Sequence, residues 1–156
     1  MTPPYGARPV LHLHPGQVHA SATAAAISTV LGSCVAVCLC DHSRSAGGAN
    51  HFVLPHRSSN MTASARFCNV AVDQLVTRME AIGSPRRALA AKIFGGACVL
   101  RAFRGKSDHM GARNVEAARV YLRELGIPII GEDTGGFDGR RLIFQTDDGA
   151  ALVRLL

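Results

Sequence analysis

The run CVAVCLC at residues 34–40 does most to limit how this chain can fold. Every position in it is apolar, so neither face of the segment can be left in water. Seven residues is a strand's length rather than a helix's, and the run reads as a buried strand with both faces covered. Leu31-Gly32-Ser33 precedes it, and turn-forming residues follow over 41–48. Residues 50–54 then read as a strand returning before Pro55.

Other segments supply the covering layers. Val10-Leu11-His12-Leu13-His14 alternates and stops at Pro15-Gly16, as a strand ending in a turn does. A second strand starts near Gln17-Val18. Residues 22–31 are small and apolar, with a β-leaning end at Ile27-Ser28-Thr29-Val30. Over 65–82, Ala71, Leu75, Met79 and Ile82 recur on one helical face, and Gly83-Ser84-Pro85 stops the helix. A strand follows at 89–94 and breaks at Gly95-Gly96. A second helix is expected over 114–125, with Val115, Ala118, Leu122 and Leu125 on one face and Gly126 as its stop. Strands at 127–131, 141–145 and 151–155 complete the pattern. Many strands with about two flanking helices predict an α+β (mixed α/β) layered domain of mixed sheets.

At 156 residues, 47% of them hydrophobic and 18% charged, the chain fits one domain with a real core. Residues 1–9 are expected to be a flexible N-terminal tail and residues 10–156 the single domain. No apolar run reaches the roughly 20 residues of a membrane helix, and the N-terminus lacks a secretory pattern. The expected location is cytoplasmic, where thiols stay reduced. Five cysteines, an odd number, fit that view. The net charge of +6 reads as a solvated basic surface. No zinc finger or helix-turn-helix pattern is present, and 5% aromatics leaves little for stacking on bases, so nucleic acid is not an expected partner.

The spacing C-x3-C-x-C is dense in metal-ligand types, but its geometry is wrong for a metal. On a strand, Cys38 and Cys40 lie about 6.6 Å apart and Cys34 about 20 Å from Cys40. Tetrahedral zinc needs its sulfurs within about 4 Å of one another. The same separation excludes a disulfide from Cys34 to either neighbour. Cys38, Cys40, Cys68 and Cys98 therefore read as small buried hydrophobes. Cys34 differs because it follows a Gly-Ser bend. There a sulfur can be exposed beside the backbone N–H groups of Ser33 and Cys34, the ingredients of a nucleophile with an oxyanion hole. His51, at the far end of the hairpin, can take its proton. Direct pairing of Cys34 with His51 centres the turn on His42-Ser43, whereas Gly47-Gly48 suggests a later turn. The register stays open.

Taken together, LGSCVAVCLCD and GGANHFVLP resemble the chemoreceptor glutamine deamidases, the CheD family of bacterial chemotaxis. The likeness continues through HLHPGQ at 12–17, AKIFGGA at 91–97, GARNV at 111–115 and GIPIIGEDTGGFDGRR at 126–141. It spans about residues 10–155. The resemblance implies a hydrolase that converts receptor glutamines to glutamates and releases ammonia through a thioester on Cys34. His51 is the implied base, and no metal or cofactor is required. A hydroxyl six positions before the cysteine completes the family's site. That position holds Ser28 where the family usually has Thr, and Thr29 is the alternative if the register shifts by one. The implied partners are methyl-accepting chemotaxis receptors and, in some bacteria, the phosphatase CheC. A non-catalytic adaptor binding either one is the alternative reading.

The remaining motifs have plain explanations. Gly95-Gly96 and Gly135-Gly136 suit either close backbone approach or tight turns. His12 and His14 suit an exposed strand edge, and Arg140-Arg141 suits a solvated face.

Overall fold

The computed structural model describes residues 6–156. Nine strands and two helices occur among them: β1 Val10–His12, β2 Val18–Ser21, β3 Ala26–Leu31, β4 Val35–Asp41, β5 Ala46–Asn50, α1 Cys68–Ala81, β6 Ala90–Gly95, α2 Met110–Glu124, β7 Ile129–Thr134, β8 Arg140–Gln145 and β9 Ala151–Leu155. They form a four-stranded sheet ordered β1-β3-β8-β9 and a five-stranded sheet ordered β2-β5-β4-β6-β7. The β1–β3 and β6–β7 pairs are parallel and the rest antiparallel, so both sheets are mixed and the fold is α+β.

β4 is the centre of the molecule and is buried along its whole length. Ala36, Cys38 and Cys40 point toward the four-stranded sheet, where they meet Ile27, Leu31, Leu142 and Phe144. Val35, Val37 and Leu39 point the other way, against Leu75, Met79, Val115 and Leu122 of the helices. The alternation of side chains along a strand thus divides one apolar run between two cores. The layers are sheet, sheet, helices. Burial drives the Cys38 thiol far up and the Cys68 thiol to about 12. Both sulfurs are packing atoms.

The β4–β5 hairpin turns at residues 42–45. Asp41 builds this turn, accepting from the Ser43 N–H (3.1 Å) and hydroxyl (2.6 Å) and from Arg44 (3.0 Å). The returning strand therefore begins at Ala46. Beyond Asn50, only isolated bridges at Phe52 and Leu54 remain of the strand expected over 50–54. Gly47 and Gly48 lie inside β5, not in the turn. They are needed for clearance: a Cβ on Gly48 would sit 2.5 Å from the His19 carbonyl oxygen and 2.8 Å from Leu75, and one on Gly47 would sit 2.6 Å from the Thr146 carbonyl oxygen.

Two other boundaries differ from expectation. α2 starts at Met110 rather than near 114, capped by the His109 ring, which accepts the Ala112 N–H at 3.2 Å. β7 starts at Ile129 and runs on through Glu132-Asp133-Thr134, because a sheet-edge strand tolerates polar residues. Arg140 is not on a solvated face. It is buried and binds Asp133 and the Gly135 carbonyl. Of the tail expected over 1–9, residues 1–5 lie outside the described residues, and Arg8 pairs with Asp147 at 2.7 Å.

Gly48→Ala is expected to destabilise the fold by about 1–3 kcal/mol, the usual range for overpacking, because two of the groups it would meet are backbone. Urea unfolding at neutral pH measures this, and a wild-type midpoint would contradict the clearance argument.

Candidate active site

Cys34 closes the loop after β3 and sits one residue before β4. The three carbonyls around it are each held. Gly32 O accepts the Ala97 N–H at 2.9 Å, Ser33 O accepts Asn114 Nδ2 at 3.0 Å, and Cys34 O accepts the Gly96 N–H at 2.9 Å. These contacts require glycines. Gly95 and Gly96 have φ of +108° and +71°, and a Cβ on Gly95 would lie 2.2 Å from the Cys34 oxygen. Close approach is therefore the role of this pair. Gly135-Gly136, with open space around both, is a tight turn. Gly111 lets α2 rest on the Gly96 and Ala97 carbonyls and so delivers Asn114 to the loop. The Val35 N–H is taken by Phe52 O at 3.1 Å. Among the described residues, no backbone carbonyl accepts from the Ser33 or Cys34 N–H.

The ladder fixes the position of His51. β4 and β5 pair with Cys38 opposite Ala49, and the Val35–Phe52 bridge continues that register. His51 is then opposite Ala36, and Cys34 opposite Val53. The two are diagonal neighbours on the face toward the four-stranded sheet rather than directly opposed. Such positions are roughly 7–8 Å apart along the backbone, within reach of side chains. The His-Pro-Gly-Gln turn holds the histidine backbone: His51 O accepts the Gly16 N–H at 2.8 Å, and its N–H reaches Gln17 O at 3.3 Å.

The histidine ring is 2% exposed and bonds through Nδ1 to Thr29 Oγ1 at 2.8 Å. The same hydroxyl donates to Leu13 O at 2.7 Å. Its only proton is thereby used, so it accepts from Nδ1–H, and Nε2 carries the lone pair. Nε2 is buried and has no hydrogen-bond partner among the described residues, Cys34 included. Ser28 does not fill this position. On a strand, adjacent side chains face opposite ways, and the Ser28 hydroxyl accepts from Arg141 at 3.1 Å on the outer face. The hydroxyl that meets the histidine is Thr29's.

Burial sets the charges. It depresses His51 to about 4, assisted by the electrostatic effect of neighbouring His14 and Arg66. Burial also pushes the Cys34 thiol up, while Arg66 and the residue's own N–H pull it down. The resting pair is a neutral thiol and a neutral imidazole. Arg66 and Asn114 had no role assigned from the sequence. Arg66 is delivered by its backbone, whose carbonyl accepts the N–H groups of Val53 (2.8 Å) and Leu54 (3.0 Å) just before α1. Cys40 and Cys98 are buried, and each thiol contacts a carbonyl oxygen at 3.6 Å. No cluster of three or more His, Cys, Asp or Glu side chains fit to hold a metal occurs among the described residues. Nor is any helix there long and apolar enough to cross a membrane.

The CheD chemotactic sensory transduction family pattern matches residues 53–155. The "Probable chemoreceptor glutamine deamidase CheD 1" of Anaeromyxobacter dehalogenans is 50% identical over 99% of this chain and 90% of its own length. The chain belongs to the CheD family. A CheD of Rhodospirillum rubrum, with a name of the same form, is 46% identical over 92% of the chain and 81% of its own length. A further one from Archaeoglobus fulgidus is 39% identical over 85% of each chain.

The buried His51 makes stability pH-dependent. The unfolded chain binds its proton near 6.5 and the folded chain near 4. Stability is complete above the higher value and is lost as pH falls toward the lower, on the order of 3 kcal/mol in all. His51→Gln is expected to flatten urea-unfolding stability between those pH values. A slope equal to wild type would contradict the neutral buried imidazole.

Proposed function

We propose that this protein hydrolyses glutamine side-chain amides on methyl-accepting chemotaxis receptors to glutamate and ammonia, through a thioester on Cys34. The observation that carries this reading is the Leu13–Thr29–His51 chain, which leaves Nε2 as a free base on the same face as Cys34. The names of the relatives supply the substrate class.

Because thiol and imidazole are both neutral, proton removal and attack occur together. Nε2 takes the Sγ proton as sulfur bonds to the glutamine Cδ, and the carbonyl π electrons move to oxygen. The Ser33 and Cys34 N–H groups stabilise that oxyanion, aided by the positive charge of Arg66. The Cδ–N bond then breaks, with Nε2–H protonating the leaving nitrogen to give ammonia. Water, deprotonated by Nε2, attacks the thioester, and the sulfur recovers its proton as glutamate leaves. No step requires a cofactor. A groove of about 480 Å³ lies beside the loop, lined by Ser33 together with Ala97, Cys98, Leu100, Phe103 and Met110. It offers an approach for a protein segment bearing the glutamine. The setting is the cytoplasm, where five free thiols stay reduced.

A docking protein for receptors or for CheC is the competing reading. A buried imidazole with a free nitrogen has no use in docking, and this favours catalysis. Purified protein incubated with a receptor cytoplasmic domain is expected to convert glutamine to glutamate, read by peptide mass. Cys34→Ala is expected to abolish conversion. Thr29→Val should lower it roughly 10- to 100-fold, less than the roughly 10² to 10⁴ that a general base itself contributes, and Ser28→Ala should leave it near wild type. Receptor binding without conversion would support the docking reading.

A further inference from the structure

Asn114 lies in the first turns of α2 and is fully buried. Its Nδ2 donates at 3.0 Å both to Ser33 O in the nucleophile loop and to Val53 O two residues past His51. Two carbonyls facing the same atom leave no choice of amide orientation, because the flipped side chain would set oxygen against oxygen. Oδ1 has no partner among the described residues, so the side chain retains this position with half its bonding capacity unused.

The consequence follows from peptide geometry. The Ser33 carbonyl and the Cys34 N–H belong to one planar trans peptide, and they point in opposite directions. Whatever anchors the carbonyl also aims the N–H. The neighbouring plane is treated alike: Ala97 N–H anchors Gly32 O, and the Ser33 N–H points away from that bond. Donation to the carbonyl also polarises the peptide and strengthens its N–H as a donor.

We propose that Asn114 is a positioning residue that fixes the Ser33–Cys34 peptide so that the Cys34 N–H is held ready for the oxyanion. It also ties this peptide to the segment after β5 that carries His51. It touches neither substrate nor the reacting atoms and acts through the backbone. The inference rests on Cys34 being the nucleophile.

The test compares two reactions of the same sulfur. Deamidation passes through an oxyanion, whereas alkylation by iodoacetamide is a direct displacement and does not. Asn114→Asp keeps the shape but replaces the donor with an acceptor that repels both carbonyls. Asn114→Ala removes the donor without adding charge and serves if the aspartate variant does not fold. The expected result is a fall in kcat of roughly 10- to 100-fold, below the 10² to 10³ of losing an oxyanion donor outright. KM for the receptor domain and the Cys34 alkylation rate should stay within about threefold of wild type. Unchanged kcat, or an equal fall in alkylation and deamidation, would overturn the proposal. Turnover surviving in Cys34→Ala would instead refute the nucleophile itself, whatever Asn114 does.

Discussion

One hydroxyl joins the two sheets at the site. Thr29 belongs to the four-stranded sheet, whereas His51 leaves the end of β5 in the five-stranded sheet. The bond between them spans the layer where Cys38 and Cys40 pack. The donation from Thr29 to Leu13 O gives that bond its direction, and so determines which imidazole nitrogen carries the proton. The packing of the two sheets thereby becomes a chemical constraint. A shift of one sheet over the other would separate the hydroxyl from the ring and free the tautomer.

Rigidity around Cys34 has a different source. The loop between β3 and β4 is short and contributes no regular hydrogen bonds of its own. Its carbonyls are satisfied from outside, by Gly96, Ala97 and Asn114. These contacts depend on residues without side chains at Gly95, Gly96 and Gly111. Among the described residues, the N–H edges left without a backbone-carbonyl partner are those of Ser33 and Cys34, whereas the Val35 N–H is taken by Phe52 O. In the proposed reaction these two N–H groups receive the negatively charged oxygen, and they are free to do so because the carbonyl edges are taken. Burial favours the neutral thiol at Cys34 and the neutral imidazole at His51.

Much of this was legible in the sequence, for reasons that can be named. The run at 34–40 could satisfy its apolar faces only between two layers, and the structure divides it as alternation requires. Ala71, Leu75 and Met79 marked the buried face of α1 because helical period and burial agree there. The start of α2 was hidden because a histidine caps it and a glycine lies in its first turn. Asn114 consequently read as the beginning of a helix rather than as a side chain reaching out of one. Gly47-Gly48 looked like turn chemistry, yet these glycines make room for the His19 and Thr146 backbone, a need visible only in three dimensions. The choice between Ser28 and Thr29 was a matter of strand phase. Ile27 and Leu31 point inward and place Thr29 with them, but exposed Val30 is apolar too and obscures the alternation. Two adjacent hydroxyls cannot be told apart by composition when a one-residue shift exchanges their faces.

The chemistry proposed for the site depends most on the state of the His51 ring. Nitrogen-15 chemical shifts of the imidazole, followed with pH by NMR, report both its tautomer and its protonation. The prediction is a neutral ring protonated at Nδ1 at neutral pH, titrating only near 4, and losing its fixed tautomer in Thr29→Val. A ring protonated at Nε2, or one that titrates near the ordinary 6.5, would contradict the proposed base.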